Sequence, residues 1–342
     1  MANDAMTNHF EDVLPTTQPN PAFLDDVLVL SVRKHFWASK ECEIFPHRIY
    51  ARSIFRGAGR WGSSRNPLNV LSMAWLGYYY VLTRRPKLIL FGAASRIAGW
   101  FAQLKRFGLL PAIKMIAPGA LYLSDAQVNY FDKVFVFSRD EMSQRDSALQ
   151  DKFEFLPLPA DGDFESIQPA KGNYIFAGGG AGRDFATLIE AVKGLDVQLK
   201  IVTFSPKTLG HAGDLPENCE VHWRMPVQEF LSMMAGALFV VVPLKAGLFP
   251  HGHTTVVQAL RLGKAIIATQ NATVDDYITD GCEGILVPAG DGEAYRAAIL
   301  RLVNETQLRR SLEDHVVERI PQLTYQAFAH NLVKLCHQVL VE

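Results

Sequence analysis

Short apolar runs separated by helix-length stretches recur along the whole chain. Residues 26–32 (DVLVLSV) are almost continuously apolar between polar flanks, the pattern of a strand buried on both faces of a parallel sheet. Runs of the same kind follow at 87–91 (KLILF), 112–116 (AIKMI) and 133–137 (KVFVF), each closed by a Gly, Ser or Pro signal. Helical spacing is expected between them, notably over 69–83 and 95–107. A second series starts after 156–164 (LPLPADGDF), where two prolines and a glycine mark a connection. Its strands are expected at 174–177, 198–203, 219–223, 238–243, 265–268 and 284–287, with helices at 184–193, 227–235 and 254–262. A last helix is expected over 325–341.

Strands alternating with helices imply right-handed crossovers and parallel sheets, hence an α/β protein. Two such series in 342 residues predict two doubly wound, Rossmann-like domains facing a cleft, each large enough for its own core. We place a flexible tail at 1–24 and an N-terminal domain at 25–165. A C-terminal domain follows at 166–320, and a helix packing across the domains at 321–342. The first 24 residues lack the basic start and apolar run of a secretory signal, and the apolar stretch 67–82 is too short and too interrupted for a bilayer span. A cytoplasmic protein is expected. Cys42, Cys219, Cys282 and Cys336 are far apart without a C-x-x-C pair, so reduced thiols are expected rather than disulfides or a zinc site.

Composition is ordinary, but charge is not evenly spread. Residues 33–114 hold fifteen Lys or Arg against Glu41 and Glu43, about +13, while the rest of the chain is about −14. The basic region is either a solvated face or the site of an anionic partner. Arg48, Arg52, Arg56 and Arg60 fall at four-residue spacing, and Trp61, Trp75, Trp100 and Phe101 accompany them. The aromatics are either core or part of an anionic membrane surface on which the protein would sit peripherally. Nucleic acid is not expected, because no nucleic-acid module accompanies the charge.

Two glycine-rich turns carry the chemistry. In 173–183 (NYIFAGGGAGR) a strand runs into Gly178, Gly179 and Gly180 and then into a helix from Asp184. Close backbone approach, turn and helix amides and the Arg183 guanidinium all favour a diphosphate, although a tight ligand-free turn would look the same. A nicotinamide-dinucleotide site is disfavoured, because Arg183 replaces the third glycine and no acid follows the next strand. In the second segment, 240–269, a strand leads through a Gly loop to a helix opened by Thr254-Thr255.

Residues 252–268 (GHTTVVQALRLGKAIIA) are similar to the donor-binding segment of family 4 (group 1) glycosyltransferases. Residues 274–291 (VDDYITDGCEGILVPAGD) and Arg183-Asp184-Phe185 with 188–191 extend the resemblance over about 173–302. The resemblance implies the GT-B fold and transfer of a sugar from a UDP- or GDP-sugar to an acceptor, with a lipid-linked or cell-surface glycan precursor as candidate. It also implies retention of configuration, with no metal and no cofactor besides the donor. By it, Gly252, His253, Thr254 and Thr255 hold the diphosphate, Lys245 and Arg183 neutralise it, and the loop containing Arg224, Met225 and Val227 reads the base. The family often carries two glutamates eight residues apart, the second on the ribose; here Pro250 and Gln258 stand there, leaving a carboxamide for the ribose. A binding protein without catalysis and a nucleotide-sugar epimerase are the alternatives. On the acceptor side the resemblance points to loops carrying His35, as general base or simple loop histidine, and Ser95-Arg96. Asp161 and Asp163 are hinge or cleft candidates. His251 and His253 lack a third ligand and make a poor metal pair.

Overall fold

The computed structural model describes residues 21–31, 45–50, 67–92, 95–119, 123–160, 162–169, 172–210, 214–247 and 251–342. The candidates His35, Cys42, Arg52, Arg56, Arg60, Trp61, Asp161 and Pro250 lie outside them. The chain divides into two compact units, 1–134 with 329–342, and 135–328.

Early in the chain come strands β1 (Val27–Ser31), β2 (His47–Tyr50), β3 (Leu88–Gly92), β4 (Lys114–Pro118), β5 (Lys133–Val136) and β6 (Phe153–Phe155). Helices α1 (Pro67–Arg84), α2 (Ser95–Arg106), α3 (Asp125–Val128) and α4 (Arg139–Ser143) alternate with them. The strand order of the first sheet is β2-β1-β3-β4-β5-β6. β1 runs parallel to both β2 and β3, and β3 to β4. Strand β3 is buried along its whole length, as its unbroken apolar run predicts. Neither β2 nor β6 was foreseen: β2 is the four residues HRIY, with neither an apolar run nor an alternating period, and β6 is three residues long.

The second sheet holds β7 (Tyr174–Gly178), β8 (Gln198–Thr203), β9 (Cys219–Trp223), β10 (Val240–Val242), β11 (Ile266–Thr269) and β12 (Gly284–Val287). Helices α5 (Phe185–Val192), α6 (Pro206–Leu209), α7 (Val227–Gly236), α8 (His253–Arg261) and α9 (Ala272–Asp275) connect them, followed by α10 (Gly292–Asn304), α11 (Thr306–Arg319) and α12 (Tyr325–Val341). Their order is β12-β11-β10-β7-β8-β9, parallel throughout. Renumbered from β7, this is the 3-2-1-4-5-6 order of a doubly wound sheet. One face packs α5 and α10 on the sheet through Phe185, Leu188, Ile189, Tyr295 and Ile299, all buried. Each such side chain removed from water contributes roughly 1.5–3 kcal/mol.

The division between units falls before the proline-rich connection, and hydrogen bonds join the residues that follow the division to the end of α9, a helix of the second sheet. The Tyr277 hydroxyl donates to the Phe137 carbonyl at 2.7 Å and accepts from the Leu158 amide at 3.0 Å. Asp276 receives the Arg139 amide at 2.8 Å and its guanidinium at 3.0 Å. These bonds tie 137–158 into the second unit, whereas 329–342, the larger part of α12, groups with the first. No helix among the described residues is long and apolar enough to cross a membrane. Cys219, Cys282 and Cys336 are free thiols.

Candidate functional site

Strands β7 and β10 are neighbours at the point where the order of the second sheet reverses. From β7 the chain moves on toward β8, and from β10 it moves the opposite way toward β11. The connections therefore leave on opposite sides and open a crevice at the strand carboxyl ends, where such sheets bind ligands. The two glycine turns are the segments that follow these two strands. Three backbone contacts join them: a β-bridge between Arg183 and Leu244, the Asp184 amide to the Pro243 carbonyl at 3.0 Å, and the Lys245 amide to the Gly182 carbonyl at 2.9 Å. Leu244 is itself anchored from below, its amide bonded to Thr269 Oγ1 at 2.6 Å and that hydroxyl to the Tyr295 phenol at 2.6 Å.

Arg183 lies inside this junction with 6 % of its surface exposed. Its Nε donates to the Gly178 carbonyl at 2.8 Å, Nη1 to the Ala181 carbonyl at 3.3 Å and Nη2 to Thr255 Oγ1 at 2.7 Å. Gly179 has φ +117°, and a Cβ there would stand 2.5 Å from Arg183 Nη2, so both the backbone conformation and the guanidinium require glycine. Among the described residues no carboxylate pairs with Arg183. Burial lowers its pKa to about 10, which still leaves it charged at neutral pH. A buried cation without a counter-charge is unfavourable unless an anion reaches it.

The two helices at the junction differ at their N-termini. The carboxylate of Asp184 closes α5, accepting the Thr187 amide at 3.4 Å and its hydroxyl at 2.7 Å. α5 thus supplies its own anion, contrary to the expectation that its amides would face a phosphate. α8 has Gly252 at its cap, φ +95°, without a side-chain acceptor. The first intrahelical bond runs from the Val256 amide to the Gly252 carbonyl at 3.0 Å, so the amides of residues 253–255 have no acceptor within the helix. The positive end of the α8 dipole therefore coincides with the buried guanidinium. His253 adds no charge: burial chiefly, then the nearby Arg183 and His251, lowers its pKa to about 4, and its Nδ1 has no hydrogen-bond partner.

A pocket of about 360 Å³ opens over this junction and runs to the ends of β8 and β9. Phe204 lies across Gly180, where a Cβ would sit 2.5 Å from the ring. Its carbonyl accepts Arg224 Nε at 3.3 Å, and Arg224 has φ +53°, a left-handed conformation uncommon outside glycine. Met225, Val227 and Phe230 complete this apolar end. Among the described residues, the lining contains Arg183, Arg224, His251 and His253 and no Asp or Glu.

Residues 181–305 match the family model described as glycosyl transferases group 1. The chain has the GT-B fold, and its 181–305 segment is similar to the group 1 glycosyltransferases. Its fold is similar to that of a glycosyltransferase from Rickettsia africae, with a TM-score of 0.67 at 12 % identity, covering 92 % of this chain and 98 % of that one. It is also similar to Anabaena HepE, crystallised with UDP and glucose (TM-score 0.63, 11 % identity, 94 % and 97 % covered). Sucrose-phosphate synthase from Thermosynechococcus elongatus is a third such structure (TM-score 0.62, 16 % identity, 86 % and 83 % covered). No curated protein matches the sequence.

Of the candidates read from the sequence, Gly179, Gly180, Arg183, Arg224, Met225, Val227, Gly252, His253, Thr254, Thr255 and Gln258 line this pocket. Gly178 and Lys245 do not. Gly178 ends β7 beneath the Phe230 ring, and Lys245 has its amide tied to Gly182 and its side chain exposed. The fold holds Arg183 as a brace between turns as well as a charge, which sequence alone did not suggest. Ser95 is the first residue of α2 in the other unit. Phe204, Phe230 and His251 were not among the expected ligands. Phe204 directly follows a buried strand, where an aromatic residue reads as core, yet it is 59 % exposed.

Proposed function

We propose that the pocket of the second unit holds the nucleoside diphosphate of a UDP- or GDP-sugar, and that the sugar passes to an anionic, lipid-linked acceptor on the 25–165 side. The observation that carries this is the Arg183 guanidinium, buried and without an acid partner among the described residues, facing the same space as the uncapped N-terminus of α8. A diphosphate supplies the missing counter-charge. As the bond between the anomeric carbon and the diphosphate oxygen breaks, negative charge accumulates where Arg183 and the amides of 253–255 already stand, and such fixed donors favour the transition state. The acceptor hydroxyl forms the new bond and gives up its proton, for which His35 is the proposed base, with Ser95 proposed beside the acceptor. Gln258 is proposed for the ribose. Retention of configuration and the absence of a metal requirement belong to the proposal on the strength of the family resemblance.

The slot formed by Phe204, Arg224 and Met225 is proposed for the base. That HepE was crystallised with UDP-glucose supports UDP as the nucleotide. Thermal-shift titration with UDP, GDP and pyrophosphate tests the assignment. UDP is expected to raise the melting temperature with or without EDTA. Phe204→Ala should weaken UDP roughly tenfold, the loss of one stacking contact, and leave pyrophosphate affinity unchanged. Absence of a shift with any nucleotide sinks the donor assignment; equal loss for pyrophosphate sinks the role of Phe204.

A further inference from the structure

We infer that the exposed face of α1, with the loop after α2, is a docking surface for an anionic lipid bilayer. Among the described residues, helix α1 is seated by one side. Ala74, Gly77 and Val81 are buried, and a Cβ on Gly77 would stand 2.9 Å from the Leu30 side chain of β1. The other side shows Leu71, Trp75, Leu76, Tyr79 and Leu82 to solvent, with Trp75 57 % and Tyr79 65 % exposed. At about 100° per residue these five fall within an arc of roughly 140°.

The patch continues beyond the helix. The Tyr78 hydroxyl donates to the Leu109 carbonyl at 3.0 Å, and the Trp100 ring of α2 lies 6.0 Å from both Trp75 and Tyr78. These contacts bring the loop at 107–109 beside α1, where Phe107 is 68 % and Leu109 53 % exposed. A contiguous apolar area of this kind marks an interaction surface rather than ordinary solvent-facing protein.

Charge selects the occupant. Between residues 44 and 124 the sequence has no Asp or Glu and twelve Lys or Arg. Lys105 is engaged by Asp132, but Arg84 and Arg85 are exposed at the C-terminal end of α1, and Arg106 is exposed over the Phe107 ring. A second copy docking on this face by two-fold symmetry would set the same cations against one another. An anionic bilayer instead meets Trp and Tyr at headgroup depth, the Leu side chains below them and the arginines with lipid phosphates. This extends the lipid-linked acceptor reading, and docking is measured without nucleotide or acceptor, so either can fail alone.

The full chain is floated with vesicles of phosphatidylglycerol and phosphatidylcholine, and with phosphatidylcholine alone, at about 0.1 M and about 1 M NaCl, where screening lengths are ~10 and ~3 Å. It should float with the anionic vesicles at low salt. Replacing Arg84, Arg85 and Arg106 together by Gln should lower partitioning on the order of 100-fold, and Trp75→Ser with Tyr79→Ser should lower it at both salt levels. An unchanged circular-dichroism melt shows that each variant is folded; if one is not, the lipid and salt dependence of the wild type decides. No flotation with any vesicle, equal flotation with neutral vesicles, or a concentration-dependent dimer in sedimentation that Trp75→Ser with Tyr79→Ser dissolves while vesicles go unbound overturns the inference.

Discussion

Arg183 Nη2 and Thr255 Oγ1 meet at 2.7 Å across 72 positions of sequence, and the bond joins the turn after β7 to the first turn of α8. Arg183 thereby has two functions that mutation can separate. Thr255→Val keeps the shape and removes one acceptor, and should cost about 1–3 kcal/mol in denaturant unfolding. Arg183→Ala should weaken pyrophosphate on the order of 10- to 100-fold, as loss of a charge-assisted contact does. The double variant should show a coupling energy of about 0.5–3 kcal/mol in unfolding, since the residues touch. Wild-type pyrophosphate affinity in a folded Arg183→Ala protein would make the arginine a brace alone.

Two glycines with positive φ separate conformation from space. Gly194→Ala, φ +72° with nothing within 4 Å of the new Cβ, should cost only the strain of a left-handed alanine, about 1–2 kcal/mol. Gly179→Ala, φ +117°, adds a methyl 2.5 Å from Arg183 Nη2 and must also displace the guanidinium. Its melting temperature should fall well below that of Gly194→Ala, with nucleotide binding lost. Similar melting temperatures in the two variants would show that the junction tolerates the methyl.

His253 sets a pH dependence whose sign follows from its lowered pKa of about 4, against the ordinary 6.5. Between those values the unfolded chain takes up a proton that the folded site refuses. The stabilisation is complete above pH 6.5 and is lost as pH falls toward 4, by up to about 3 kcal/mol. His253→Gln should flatten this acid limb when melting temperature is followed from pH 7 to pH 4. Parallel curves for the two proteins would contradict the buried neutral histidine.

Much of this was legible along the chain. Strands β8, β9 and β12 have the bounds expected from the sequence, and α12 appeared where helical spacing predicted it, because apolar residues recurring at strand or helix spacing leave a local signal. The short strand β6 was not legible, since three residues carry no period. The glycine turns and the group 1 resemblance were read from adjacent residues.

What sequence by itself determined, then, is most strands of both sheets, the chemistry of the two turns and the group 1 resemblance of the second unit, all of which depend on residues near one another in the chain. Tertiary structure decided that β7 lies beside β10, so that turns some 70 residues apart share one pocket. It decided too that Asp184 closes one helix end while Gly252 leaves the other open, that Lys245 faces solvent, and that Phe204 covers Gly180 instead of entering the core. The physical reason is that strand order and side-chain direction are settled by non-local packing and crossover handedness, which leave no periodic trace in a linear sequence.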